Sequence, residues 1–192
     1  MVNIVLFGPP GAGKGTQSEN IINKYSLKHI STGDLFRKHL GEGTHLGKRA
    51  QSFMDNGKLV PDEVVIGMVA DLLDENAEAE GFIFDGFPRT VTQAEALDEL
   101  LEEHDQHIHC MVMLDVPHDE LRKRLLERGK TSGRADDQNV EKIDVRIQEY
   151  LDKTLPVADY YQGQGKIAKI NGVGSIEGIF ADIVSEINGH LD

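Results

Sequence analysis

The chain has 192 residues, 39% of them hydrophobic and 28% charged, with a formal net charge of −13 at neutral pH. That length and balance suit one globular domain with small insertions, and the acidity argues against general binding to nucleic acid or to an anionic membrane, both of which want a basic face. A single cysteine, Cys110, excludes an internal disulfide and any cysteine-rich zinc site, and fits a reducing compartment.

The first apolar run, Val2 to Phe7, has no basic leader before it and breaks at Gly8, far short of the ~20 residues that span a bilayer. It reads as a strand, and the expected location is cytoplasmic. A helical stretch follows from about Lys14 to Tyr25. Further strands are expected at Lys28 to Ser31, Phe82 to Phe84, His109 to Val116 and Lys166 to Ile170. These short runs are apolar on both faces, as central strands covered by helices on each side must be. Their alternation with helical spacing predicts an α/β fold, a five-stranded parallel sheet with helices on both faces. Ligands in such sheets lie at the carboxyl ends of the strands.

Two segments interrupt the alternation. Thr32 to Asp62 carries helical patterns and glycines but no strand, which predicts a small helical insertion. Gly129 to Gly133 is polar and glycine-containing, and is expected to be a mobile loop. A long helix is expected from about Val140, bent at Pro156. A last helix should follow Ser175 as its N-cap.

The strongest chemical signal is Gly8-Pro9-Pro10-Gly11-Ala12-Gly13-Lys14-Gly15-Thr16, between the first strand and first helix. It matches the phosphate-binding loop G-x-x-x-x-G-K, in which backbone N–H groups surround phosphate oxygens at a helix N-terminus and the lysine adds a full charge. Gly15 stands where the motif has its hydroxyl, which arrives one place later as Thr16. The arginines agree: six of the eight, at 37, 89, 124, 128, 134 and 146, fall in or beside the motif-bearing segments of an acidic chain. Guanidinium forks bind phosphate oxygens in pairs. Asp85, closing an apolar strand, is the candidate Mg²⁺ carboxylate, directly or through water; a turn-capping role before Gly86 is the alternative. His107, His109 and Cys110 lack a third ligand at metal spacing, and read as ordinary strand-edge residues rather than a metal cluster.

Taken together, the phosphate loop, Ser31-Thr32-Gly33-Asp34-Leu35-Phe36-Arg37 and Asp85-Gly86-Phe87-Pro88-Arg89 resemble the nucleoside monophosphate kinases, most closely the adenylate kinase family. The resemblance spans essentially the whole chain and implies reversible, Mg²⁺-dependent phosphoryl transfer from ATP to AMP, giving two ADP, by a monomer. It implies an NMP-binding insertion over 31–60 and a lid over 127–137. Gly11, Ala12, Gly13, Lys14, Gly15 and Thr16 would cradle ATP phosphates, and Arg128 and Gly174 would also meet ATP. Thr32, Arg37, Lys58, Leu59, Val60, Gly86, Phe87, Arg89 and Gln93 would bind AMP, Gln93 at the adenine edge. Arg134 and Arg146 would grip phosphates as the lid closes, while Arg124 matches the family without a firm role. Five residues between Arg128 and Arg134 leave no space for a long zinc-bearing lid, so the short-lid form without structural zinc is implied.

Phosphoryl transfer between nucleotides needs alignment and charge neutralisation more than acid–base chemistry, so the lack of an obvious nucleophile is consistent. A uridylate-cytidylate kinase shares most of these features, but its family typically has alanine at the Thr32 position and lacks Gln93; the amide of Gln93 can donate and accept together. A regulatory GTPase should show an Asn-Lys-x-Asp guanine reader, which Asn23-Lys24-Tyr25-Ser26 fails at its fourth place. A non-catalytic nucleotide sensor would not need a second set of phosphate contacts.

Overall fold

The computed structural model describes residues 1–191, with Ala135 described by its backbone alone. Five parallel strands, β1 (Val2–Phe7), β2 (Lys28–Ser31), β3 (Gly81–Asp85), β4 (Cys110–Asp115) and β5 (Ile167–Asn171), form one sheet in the order β2-β3-β1-β4-β5. β1 therefore lies at the centre, and the chain turns outward from it in both directions, which opens a crevice at its carboxyl end. That is where Gly8 begins the phosphate loop.

Period-two alternation along the strands separates two cores. Val5, Phe7, Phe82, Phe84 and Met111 face one side, where they meet Val65 and Val69 of α4 (Asp62–Glu75), Leu97 and Leu101 of α5 (Val91–Glu102), and Val157 and Tyr161 of α8 (Pro156–Gly163). Ile4, Leu6, Ile83, Cys110 and Val112 face the other. There they meet Ile21 of α1 (Lys14–Tyr25), Leu121 and Leu125 of α6 (His118–Ser132), Ile143 and Ile147 of α7 (Val140–Glu149), and Ile183 and Ile187 of α9 (Ile176–Leu191). Most residues of β1, β3 and β4 are buried on both faces; Asn3, the polar residue inside β1, is satisfied by Gln106, the His107 carbonyl and Phe82 N. Among the described residues no helix is long and apolar enough to cross a membrane.

The expected insertion is helical: α2 (Thr32–Gly41) and α3 (His45–Met54) follow β2, each capped by a side chain. Ser31 Oγ accepts from Asp34 N, and Thr44 Oγ1 accepts from Gly47 N at 3.1 Å. Ser175 Oγ accepts from Gly178 N at 3.1 Å, as expected of a cap for the last helix.

Two local expectations need correction. Gly129–Ser132 is not a loop but the last turn of α6, which ends only at Gly133, φ 68°. A glycine stands at 129 because the Asp137 carbonyl oxygen passes 2.5 Å from where a Cβ would be, so helix and following segment close on each other there. The break in the 140–163 helical run also precedes Pro156. Tyr150–Thr154 forms a π-helical turn, with Leu155 N donating to Tyr150 O at 2.8 Å, and Pro156 opens α8 at a first-turn position, where its missing N–H costs nothing.

His107 and His109 stack with ring centroids 4.2 Å apart, and Asn3 N donates to His109 Nδ1 at 3.2 Å. Cys110 points into the core beside Ile4, its pairing partner in β1.

Candidate active site

The phosphate loop leaves β1 and enters α1 through Gly11 and Gly13, at φ 85° and 97°. Gly13 caps α1 without a side chain, and the first helical bond runs from Gln17 N to Gly13 O at 3.2 Å. The N–H groups of Lys14, Gly15 and Thr16 thus precede any intrahelical acceptor and face outward at the positive end of the helix dipole. Gly15 and Thr16 are exposed, ready for an anion; Ala12 is buried beneath them. Lys14 folds back over the loop, its Nζ donating to Gly8 O at 2.9 Å and Pro9 O at 3.1 Å. Burial pulls its ammonium down to about 8, repulsion from Arg89, Arg146 and Arg128 adds to this, and Asp85 opposes it.

Asp85 ends β3 beside Leu6 and Ser31. Its Oδ2 lies 3.7 Å from His29 Nε2, too far for a hydrogen bond. Burial pushes the carboxyl up, but the facing His29 and the Lys14 charge outweigh it and hold the pKa below the ordinary value. Among the described residues no three metal-ligating side chains cluster. An ionised lone carboxylate fits a Mg²⁺ ion, which takes one or two carboxylates and fills its remaining positions with water and substrate phosphate.

Next to Lys14 opens a cleft. Thr32, Arg37, Lys58, Leu59, Val60, Gly86, Phe87, Arg89, Gln93 and Arg146, all expected on the AMP side, line it. Gly86 O is the hub of one wall, accepting from Thr32 Oγ1 at 2.8 Å and from Arg89 Nε at 2.7 Å. Arg89 is held by Nε, so its two terminal nitrogens remain available to a phosphate. Arg37 pairs with Asp34 one helical turn earlier. Gln93 is 1% exposed; its Oε1 accepts from Arg89 N at 2.7 Å and its Nε2 donates to Asp62 Oδ1 at 2.8 Å.

The lid-side residues are gathered by a carboxylate for which the sequence reading had no role. Asp137 is fully buried and accepts from Arg128 Nε at 2.6 Å, Arg128 Nη2 at 3.0 Å and Arg146 Nη1 at 2.5 Å. Burial raises its pKa, but the Arg128 bonds and both arginine charges prevail and the carboxyl sits below its usual range. Arg146 also pairs with Asp136 at 2.9 Å. Burial, followed by the charges of Arg37 and Arg128, depresses the pKa of Arg134. Arg128, Arg134 and Gly174 do not line the cleft. Gly174 follows β5 at φ 151°, and a Cβ there would stand 4.0 Å from Ile179 Cγ1, an ordinary contact distance. Arg124 bonds Glu120 at 2.8 Å and the Gly172 carbonyl at 3.0 Å, tying α6 to the segment after β5.

Other cleft residues went unnoticed in the sequence. A Cβ on Gly57, φ 70°, would stand 2.8 Å from Arg146 Cγ, so the end of the insertion abuts α7. Glu149 faces the same seam, its Oε1 3.5 Å from Leu59 N and 2.6 Å from Lys153 Nζ. Tyr150 lines the cleft with a buried hydroxyl that has no hydrogen-bond partner among the described residues. Only the π-helical turn marks Tyr150 locally, and no motif signals the others.

A phosphate loop at the end of a central parallel strand, opening onto a cleft lined by lysine and arginine side chains, defines the class of P-loop proteins. Comparison with known proteins narrows the class. The family profile of adenylate kinase matches residues 6–166. The adenylate kinase of Bacteroides fragilis is 52% identical over 188 residues, 98% of this chain and 99% of that protein. That of Flavobacterium johnsoniae is 53% identical over 188 residues, again 98% and 99%. That of Leptospira biflexa is 50% identical over 187 residues, 97% of this chain and all of the relative. The chain belongs to the adenylate kinase family.

Proposed function

We propose that the chain transfers a phosphoryl group reversibly between adenine nucleotides, MgATP and AMP giving two ADP. The observation that carries this reading is geometric: Lys14 of the phosphate loop lines the same cleft as Arg37, Arg89 and Arg146, so the loop opens directly onto a second cation-lined pocket. ATP phosphates occupy the loop from Gly11 to Thr16, with Lys14 neutralising them and Arg128 and Gly174 on the ATP side. AMP occupies the cleft: Thr32, Leu59, Val60, Phe87 and Gln93 surround the nucleoside, while Arg37, Lys58, Gly86 and Arg89 lie along it toward the phosphate. Arg134 and Arg146 grip phosphates from the AMP side as the lid closes.

In the forward direction an oxygen of the AMP phosphate attacks the γ-phosphorus in line. The bond from that phosphorus to the β–γ bridging oxygen breaks, and its electron pair stays on the departing ADP. No proton transfer is needed, since the acceptor is already an anion. The protein's contribution is to align two anions and offset their repulsion with lysine and arginine fixed beforehand. When bound through Asp85, Mg²⁺ supplies further charge neutralisation on the phosphate oxygens. The seam of Gly57 and Leu59 against Arg146 and Glu149 supports an insertion over 31–60 that folds onto α7 and shuts out water as a competing acceptor. The segment over 127–137 acts as a short lid, Asp137 holding its arginines. The family resemblance also supports a monomeric, cytoplasmic enzyme of adenine nucleotide homeostasis.

Incubating the protein with Mg²⁺, ATP and each monophosphate in turn, and following ADP, tests the reading. AMP should be the preferred acceptor. Turnover with CMP or UMP but not AMP would overturn it.

A further inference from the structure

The Gln93 amide is held by two partners of opposite chemistry. A backbone N–H, that of Arg89, stands against Oε1 at 2.7 Å, and a carboxylate, that of Asp62, stands against Nε2 at 2.8 Å. Because the first partner can only donate and the second can only accept, the two ends of the amide cannot exchange places. A flip would aim the amide oxygen at a carboxylate and the amino group at an N–H. Thr90 completes the bracket, its Oγ1 accepting from Gln93 N at 3.2 Å and donating to Asp62 Oδ1 at 3.1 Å. Asp62 comes from the first turn of α4, 31 residues before Gln93, and is half-buried.

We propose that Asp62 is a positioning residue for base selection: it locks the Gln93 amide in the one orientation that suits an amino-purine. This rests on the reading that Gln93 meets the AMP base. With one lone pair of Oε1 and one hydrogen of Nε2 already used, the amide keeps one acceptor position and one donor position. Adenine offers the matching pattern, an exocyclic N–H donor beside a ring-nitrogen acceptor. Hypoxanthine has the same size and shape but presents a carbonyl beside a ring N–H, so both contacts meet like with like. A freely flipping glutamine could serve either base; a locked one rejects the second by leaving buried polar groups unpaired.

The test compares kcat/KM for AMP and for inosine monophosphate, with ATP as donor and products separated by chromatography. In Asp62→Ala the preference for AMP should shrink by about tenfold, the scale of one hydrogen bond to a charged group. Asp62→Asn, whose amide oxygen still accepts from Gln93 Nε2, should keep most of the preference. Gln93→Ala should abolish it. A preference unchanged in Asp62→Ala but lost in Gln93→Ala would overturn the lock while leaving the base reader in place. A preference surviving Gln93→Ala would overturn the base reader itself. Equal losses for both acceptors in Asp62→Ala would mark Asp62 as merely structural, and Asp62→Asn discriminating no better than Asp62→Ala would refute its role as acceptor.

Discussion

Replacing Asp137 by asparagine removes the negative charge that organises the lid-side arginines while preserving shape. The wild-type carboxylate is fully buried and receives three close guanidinium contacts, at 2.5, 2.6 and 3.0 Å. Breaking a buried ion pair costs 3–5 kcal/mol. Arg128 is 36% exposed and Arg146 19% exposed, and Arg146 keeps Asp136, so both can recover some solvation or charge and the loss should fall near ~3 kcal/mol. With a urea m-value of about 2–3 kcal/mol/M, the denaturation midpoint should drop by about 1 M at neutral pH. The pH dependence follows from the depressed carboxyl. A group whose folded pKa lies below its unfolded value contributes fully above the unfolded value of about 3.9, and loses the contribution as pH falls through the folded one. The gap between wild type and Asp137→Asn should therefore be widest near neutrality and close in acid. Equal midpoints at neutral pH, or a gap that persists unchanged into acid, would refute the reasoning.

Four further outcomes are expected. Arg89→Ala should leave the fold intact, because the side chain is exposed in the cleft, and lower kcat by about 10²–10³, the scale for losing one preorganised electrostatic contact; circular dichroism and steady-state rates check both halves. Lys14→Met should be more damaging still. Because the Lys14 ammonium sits at about 8 without nucleotide, ATP phosphates should raise its pKa on binding, and calorimetry in buffers of different ionisation heat should show proton uptake at about pH 8.5 that vanishes in Lys14→Met. Gly57→Ala would place a methyl group against Arg146 at a left-handed backbone position and hold the insertion away from α7; KM for AMP should rise with a smaller change in KM for ATP.

Much of the fold was legible because its signals are local. The bounds of β1, α1 and β2 coincide with the expected ones, since a dry strand, a glycine loop and an amphipathic turn each announce themselves within a few residues. The expected strand at His109–Val116 is observed at Cys110–Asp115, and the one at Lys166–Ile170 at Ile167–Asn171. Gly129–Ser132 misled because polarity and glycine content count against a helix only when nothing is packed against it. There the close approach of Asp137 makes glycine the residue that fits.

Composition, periodicity and motif spacing by themselves determined a parallel α/β sheet, a phosphate loop at its centre and the arginine-rich character of what surrounds it. Which carboxylates organise those groups was decided by tertiary structure alone. Asp137 is one of 33 acidic residues, and Asp62 reaches Gln93 from another helix. A charge's worth depends on its burial and on the partners brought within about 3 Å of it, and those partners arrive from segments distant in the chain. The chain order encodes that a lysine and several arginines are present; only packing turns an ordinary aspartate into the group that aims them.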